Sequence, residues 1–139
     1  MLDLSPLQSA IGALARALSV THDPQRWPRF DAETQEALKA GVIQNFEVAY
    51  EQSWKMMRRW LAVSTISGDV DGVPMRQLYR MAAKAGLIDD IEVWMDFHKA
   101  RNLTSHTYNR VTAQAVFDMA PVFATGAQQL LSKLEQRND

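Results

Sequence analysis

Between Arg101 and Tyr108 the chain reads Arg101-Asn102-Leu103-Thr104-Ser105-His106-Thr107-Tyr108. Its arginine, asparagine, histidine and tyrosine are the side chains that chemistry at a phosphodiester uses. A guanidinium holds a phosphate through two parallel hydrogen bonds. An imidazole moves a proton near neutral pH. An amide and a phenol fix orientation by hydrogen bonding. The stretch from Lys99 to Arg110 carries Lys99, Arg101 and Arg110 and no acid. Trp94, Phe97 and Arg101 recur at helical spacing, so Arg101 shares an apolar face, where an arginine is rarely buried without a partner. Asn102 and His106 are four apart and share one side of that helix if it continues.

A structural role suits the same residues. The helix leading into them opens with Asp89, Asp90, Glu92 and Asp96 and closes with Lys99 and Arg101. That charge order complements a helix dipole. His106 then serves as a C-terminal cap, and Tyr108 as a core residue with a wet hydroxyl. Upstream, Glu47, Glu51 and Lys55 are spaced by four beside the stripe of Phe46, Tyr50 and Trp54. A solvated face supported by i,i+4 pairs is one reading of this ladder. In the other, the two acids meet Arg101 across the molecule or at a subunit interface and orient it.

No other pattern competes. No two isolated acids suggest glycosidic chemistry. His22, His98 and His106 have no metal-ligand spacing with nearby acids, and His98 is read as covering a helix face. The run Gly68-Asp69-Val70-Asp71-Gly72 reads as a turn, not a phosphate loop. The seven methionines read as gap fillers.

The elements that must position the cluster are helices. Ser5-Pro6 reads as an N-cap followed by proline, with Gln8 completing a capping box, ahead of Leu7, Ile11, Leu14 and Leu18. After a break at Thr21–Phe30, a second helix starts near Asp31, with an expected interruption at Gly41. Its stronger half carries Ile43, Phe46, Tyr50, Trp54, Met57 and Leu61 on one face. After a second break at Ser64–Pro74, Pro74 opens a short helix that ends at Gly86. Asp89 reads as the next N-cap, with Glu92 completing its box and Ile88 and Val93 forming a hydrophobic staple, and this helix runs to about His106. The last helix starts near Thr112 and places Val116, Met119, Phe123, Ala127, Leu130 and Leu134 on one face. No period-two strand is visible. The expected fold is all-α: a single domain over 1–139, an up-and-down antiparallel four-helix bundle with one additional short helix.

Composition narrows the function classes. The chain has 139 residues, 47% hydrophobic and 22% charged, which suits one globular domain and excludes disorder. A formal charge of -1 excludes a broadly basic nucleic-acid coat. The absence of cysteine excludes disulfides and thiol chemistry. No apolar run approaches the roughly 18 residues that span a bilayer. The first residues lack the features of a signal peptide, so a cytoplasmic protein without a membrane role is expected.

Arg101 through Tyr108 matches the Arg-x-x-x-x-His-x-Tyr pattern of HEPN domains. More narrowly, the chain resembles the nucleotidyltransferase substrate-binding proteins, small helical partners of minimal nucleotidyltransferases. Two further blocks carry the resemblance: Gly41-Val42-Ile43-Gln44-Asn45-Phe46-Glu47 through Trp54-Lys55, and Ala85-Gly86-Leu87-Ile88-Asp89-Asp90 with Trp94. The segment from Asp69 to Met75 is less typical. The resemblance implies a homodimer that brings two copies of the motif to a shared cleft. It implies a separately encoded nucleotidyltransferase as partner, in a toxin–antitoxin pair. Arg101 and His106 would be the catalytic pair of an RNA cleavage needing no metal or cofactor, with Asn102 supporting the site. Tyr108 would be the residue to which a partner attaches AMP. Glu47 and Glu51 are the candidate supporting acids. The alternative implied by the family name is a non-catalytic module that binds a nucleotide or other substrate for the partner enzyme.

Overall fold

The computed structural model describes residues 1–64 and 70–138. Five α-helices and two short 3₁₀ turns hold most of the described residues, with no strand among them. They are α1 (Ser5–Thr21), α2 (Ala32–Ser64), α3 (Met75–Lys84), α4 (Ile91–Leu103) and α5 (Arg110–Arg137), with 3₁₀ turns at Trp27–Arg29 and Thr104–His106. The all-α bundle expected from periodicity is what the chain forms.

Side-chain contacts give the direction of each helix. At one end of the molecule, Gln8 of α1 reaches Glu135 of α5 at 3.3 Å, and the Leu2 amide donates to Asn138 Oδ1 at 2.9 Å. The start of α1 therefore lies beside the end of α5. Lys39 meets Gln114 at 3.1 Å while Arg137 lies over the Trp60 ring, so α2 and α5 run the same way. Lys133 pairs with Asp89 at 2.9 Å just before α4, which makes α4 antiparallel to α5. The four long helices thus alternate up and down, and α3 packs against α2 and α4.

The core is built where the apolar stripes meet. Phe123 of α5 sits among Phe46 of α2 and Phe97 of α4, with ring centroids 5.1 and 5.2 Å away, both edge-on. Trp94 and Tyr50 complete the group at 6.0 and 6.1 Å. Edge-to-face contacts suit the ring quadrupoles and add to the gain from burial. Ile43, Phe46, Tyr50, Met57 and Leu61 of the α2 stripe are buried, as are Val116, Phe123, Ala127, Leu130 and Leu134 of α5.

Several boundaries differ from the sequence expectation, each for a tertiary or competing local reason. Gly41 does not interrupt α2. Glycine costs a helix about 1 kcal/mol against alanine, which is less than the burial of Val42, Ile43 and Phe46 in the turns that follow it returns. Ser5 does not cap α1: its amide and hydroxyl both donate to Asp3 Oδ1, at 3.0 and 2.6 Å. These bonds hold the Asp3 carboxyl below the usual carboxylate range. Gln8 is turned to Glu135 and closes no capping box. The cap of α4 is Asp90, not Asp89: Asp90 Oδ1 accepts from the amides of Glu92 and Val93 at 2.9 and 3.2 Å. Asp89 is drawn instead to Lys133, and Glu92 to Arg76. Ile88 is buried while Val93 stays exposed. Helix α5 starts at Arg110, capped by Asn109, whose Oδ1 accepts from the amides of Val111 and Thr112.

Gly86 does end α3 as expected. Its φ of +80° is a left-handed value that L side chains rarely adopt. The Leu87 amide donates to the Ala82 carbonyl and the Gly86 amide to the Ala83 carbonyl, which closes the helix end. Arg137 packs so closely that a Cβ at Gly86 would lie 2.9 Å from its Nη2. Of the turn expected at Gly68–Gly72, Asp71-Gly72 is a turn with Gly72 at φ +77°, while Gly68-Asp69 lies outside the described residues. Ser67 lies outside them as well.

Candidate functional site

The octet occupies one corner of the bundle, where α4 ends and α5 begins, against the first half of α2. Helix α4 stops at Leu103, and one 3₁₀ turn carries the chain through Thr104, Ser105 and His106. Thr104 helps to end the helix, since its hydroxyl donates back to the Arg101 carbonyl at 2.7 Å. Asn109 then starts α5. A local stop at Thr104 and a local start at Asn109 fix the corner between them.

Arg101 crosses from α4 to α2. Its Nη2 lies 3.5 Å from Glu47 Oε1 and its Nε 3.8 Å from Glu51 Oε2. The acids therefore meet Arg101 within one chain. Its Nη1 donates to Thr104 Oγ1 at 3.1 Å. Nε is buried yet makes no hydrogen bond. With 31% of the side chain exposed, the guanidinium is aimed by two carboxylates without being fully engaged by them. Half-exposed pairs at these distances contribute at most about 1 kcal/mol, so their main effect is orientation. Glu51 is shared, accepting from Trp54 Nε1 at 3.3 Å and lying 3.8 Å from Lys55.

His106 and Tyr108 stand out in solvent. Tyr108 is 85% exposed, which corrects the reading of it as a core residue. Its hydroxyl lies 3.5 Å from His106 Nδ1, and the two rings meet edge-on with centroids 6.0 Å apart. Among the described residues no hydrogen bond joins Arg101 to His106. Beside them runs a cleft of about 530 Å³ between α2 and the start of α5, lined by Lys39, Ile43, Gln44, Tyr108 and Arg110 among others.

Asn102 is exposed on the same corner and leads to His98, which spacing alone reads as surface cover. The Asn102 amide lies 3.4 Å from His98 Nε2, and His98 Nδ1 lies 3.1 Å from the Tyr50 hydroxyl. Tyr50 is in turn hydrogen-bonded to Tyr79. Burial, and then the Arg101 charge, hold the His98 pKa below the usual histidine value. Burial pushes both tyrosines well above the ordinary phenol range, so they remain protonated. The signal was present in the sequence as the i,i+4 spacing of His98 and Asn102, but the tyrosine contacts come from other helices. No group of three His, Asp or Glu residues suited to a metal ion occurs among the described residues. Among them, no helix is long and apolar enough to cross a membrane.

An all-α bundle with an Arg-x-x-x-x-His-x-Tyr corner defines the class of protein. The chain belongs to the family described as nucleotidyltransferase substrate binding protein like, which matches residues 2–136. It is 35% identical over 138 residues to a Haemophilus influenzae protein named probable ribonuclease HepT, covering 99% of this chain and 94% of that one. A solved Haemophilus influenzae structure, described as revealing the fold of a substrate binding domain of a nucleotidyltransferase, superposes with a TM-score of 0.91. The match is at 33% identity and covers 96% of this chain and 99% of that one. A Thermus thermophilus structure superposes with a TM-score of 0.68 at 27% identity, covering 90% and 98% of the two chains.

Proposed function

We propose that this chain is the ribonuclease subunit of a toxin–antitoxin pair, acting as a homodimer and held in check by a separately encoded minimal nucleotidyltransferase. The observation that carries this reading is the Arg101 guanidinium. Glu47 and Glu51 aim it, and about a third of its side chain stays open, at the corner that also exposes His106 and Tyr108. The likeness to a protein named probable ribonuclease HepT supports it.

The reaction that these groups serve is transesterification within RNA. The ribose 2′-oxygen attacks the adjacent phosphorus, the bond to the 5′-oxygen breaks, and the products are a 2′,3′-cyclic phosphate and a 5′-hydroxyl. One proton leaves the 2′-hydroxyl and one must reach the departing oxygen. An imidazole serves either transfer. Two copies of His106 across a dimer supply a base and an acid together. Arg101 stabilises the charge that builds on the phosphorane oxygens. DNA lacks the 2′-hydroxyl and is not cut. Neither metal nor cofactor has a role in this scheme. The net charge of -1 is no obstacle, because one local cationic corner suffices to hold a phosphate.

Expression of the chain alone in bacteria tests this. Growth arrest with degraded RNA is the expected result, and healthy growth with intact RNA at high expression would overturn it. That opposite result favours a second reading, a non-catalytic module that binds a nucleotide for its partner. The cleft beside Tyr108 supports it, since about 530 Å³ is within the ordinary range of small-ligand pockets.

The exposed Tyr108 hydroxyl is the proposed acceptor of AMP from the partner enzyme. Incubation with that enzyme and ATP should add one AMP to the intact mass, and Tyr108→Phe should abolish the addition. An unchanged mass of the original chain would count against this modification.

A further inference from the structure

Three helices converge behind Asn102 in a chain of polar groups for which the cleavage scheme has no use. Tyr79 of α3 bonds to Tyr50 of α2, Tyr50 to His98 of α4, and His98 to the Asn102 amide one turn further on. Both tyrosines are buried to 1% exposure or less. A buried polar chain of this kind is costly unless every donor finds an acceptor.

That requirement sets the direction of the protons. Among the described residues the Tyr79 hydroxyl has Tyr50 as its partner. A buried hydroxyl that keeps its proton unshared loses a full hydrogen bond, whereas an unfilled lone pair is more readily tolerated. Tyr79 therefore donates to Tyr50, and Tyr50 donates to His98 Nδ1. The ring is neutral near pH 7, because burial and Arg101 both oppose its charging. A neutral imidazole that accepts at Nδ1 carries its proton on Nε2. The amide atom 3.4 Å from Nε2 is Nδ2, which would set a donor against a donor. A half-turn of the Asn102 amide exchanges its oxygen and nitrogen with no other movement and brings Oδ1 to the ring. The NH₂ group then points away from His98, toward solvent.

We infer that Tyr79, Tyr50 and His98 are positioning residues that lock the Asn102 amide with its carbonyl on His98, leaving its NH₂ as a fixed donor to a phosphate oxygen of bound RNA. The last step rests on the ribonuclease reading; the proton arrangement does not. The outward donor complements Arg101, the residue before it, so the pair presents only N–H groups to an anion.

Two measurements on the full chain test this separately. Long-range ¹H–¹⁵N correlation of the histidine rings at neutral pH should show His98 as the Nε2–H tautomer. Tyr50→Phe, which removes the donor to Nδ1, should shift the population toward Nδ1–H. A Nδ1–H tautomer in the unmodified protein would overturn the proposal, whether or not RNA is cut. In cleavage assays, His98→Gln keeps one acceptor for Tyr50 and one donor for Asn102. It should retain most of kcat/KM, while His98→Leu should lose about tenfold, the worth of one hydrogen bond to a charged group. Equal losses in the two variants, with both folded, would also overturn it. If the unmodified chain cuts no RNA at all, the ribonuclease reading falls and the tautomer still decides the proton arrangement.

Discussion

Replacing His106 with alanine is expected to lower RNA cleavage by about 10²–10⁴-fold, the usual range for a positioned acid–base group. Arg101→Ala is expected to cost about 10²–10³-fold, as for loss of one electrostatic contact to a charged transition state. Neither change should unfold the protein. His106 is exposed, and the Arg101 ion pairs are half-exposed at 3.5 and 3.8 Å, contributing at most about 1 kcal/mol. Cleavage rates and melting curves on the same samples therefore separate catalysis from structure. Arg101→Lys keeps the charge but loses the planar fork, so it should recover only part of the rate. The double variant should lose less than the product of the single losses, because both groups act on one transition state. Full cleavage in either alanine variant would remove that residue from the mechanism. Loss of melting temperature in step with loss of rate would support a purely structural motif.

The second large effect is on stability. Phe123→Ala should destabilise the fold by about 3–5 kcal/mol and lower the melting temperature by roughly 10–20 °C. Phe123 is fully buried and touches aromatic rings from both α2 and α4, so the cavity would open where three helices meet. Phe123→Leu fills part of that volume and should recover a good share of the loss. Urea denaturation measures both changes. A loss below about 1 kcal/mol in Phe123→Ala would show that the neighbouring rings collapse into the space. The same cluster includes Tyr50 and Phe97, which flank His98 in space or sequence, so partial loss of activity in folded Phe123→Ala is expected as well.

The helices were legible because burying a helix on one side leaves a periodic mark. Leu7, Ile11 and Leu14, or Phe46, Tyr50 and Met57, carry that mark wherever the helix packs. Boundaries were less legible where two nearby residues offered the same local chemistry. Asp89 and Asp90 are both competent caps; in the fold Asp90 takes the amides while Asp89 pairs with Lys133 on α5. Gly41 looked like a stop because local propensity was all that could be weighed there. A core role for Tyr108 was one reading because an aromatic residue is usually buried, yet it stands exposed on the edge of the cleft between α2 and α5.

The sequence by itself determined the all-α class, the Arg-x-x-x-x-His-x-Tyr octet and, through it and the blocks at Gly41–Lys55 and Ala85–Trp94, the family. All three are written in spacings of one or two turns, and a helix is a local structure. Only the tertiary structure decided what the polar residues face. Glu47 and Glu51 read first as a solvated face, with Arg101 as the alternative partner, and Tyr50 read as plain core. Which applies depends on the axial register of α2 against α4. That register is set by the aromatic packing around Phe123, not by the polar residues themselves. It places Glu47 and Glu51, one turn apart, opposite one guanidinium, and sets Tyr50 against His98.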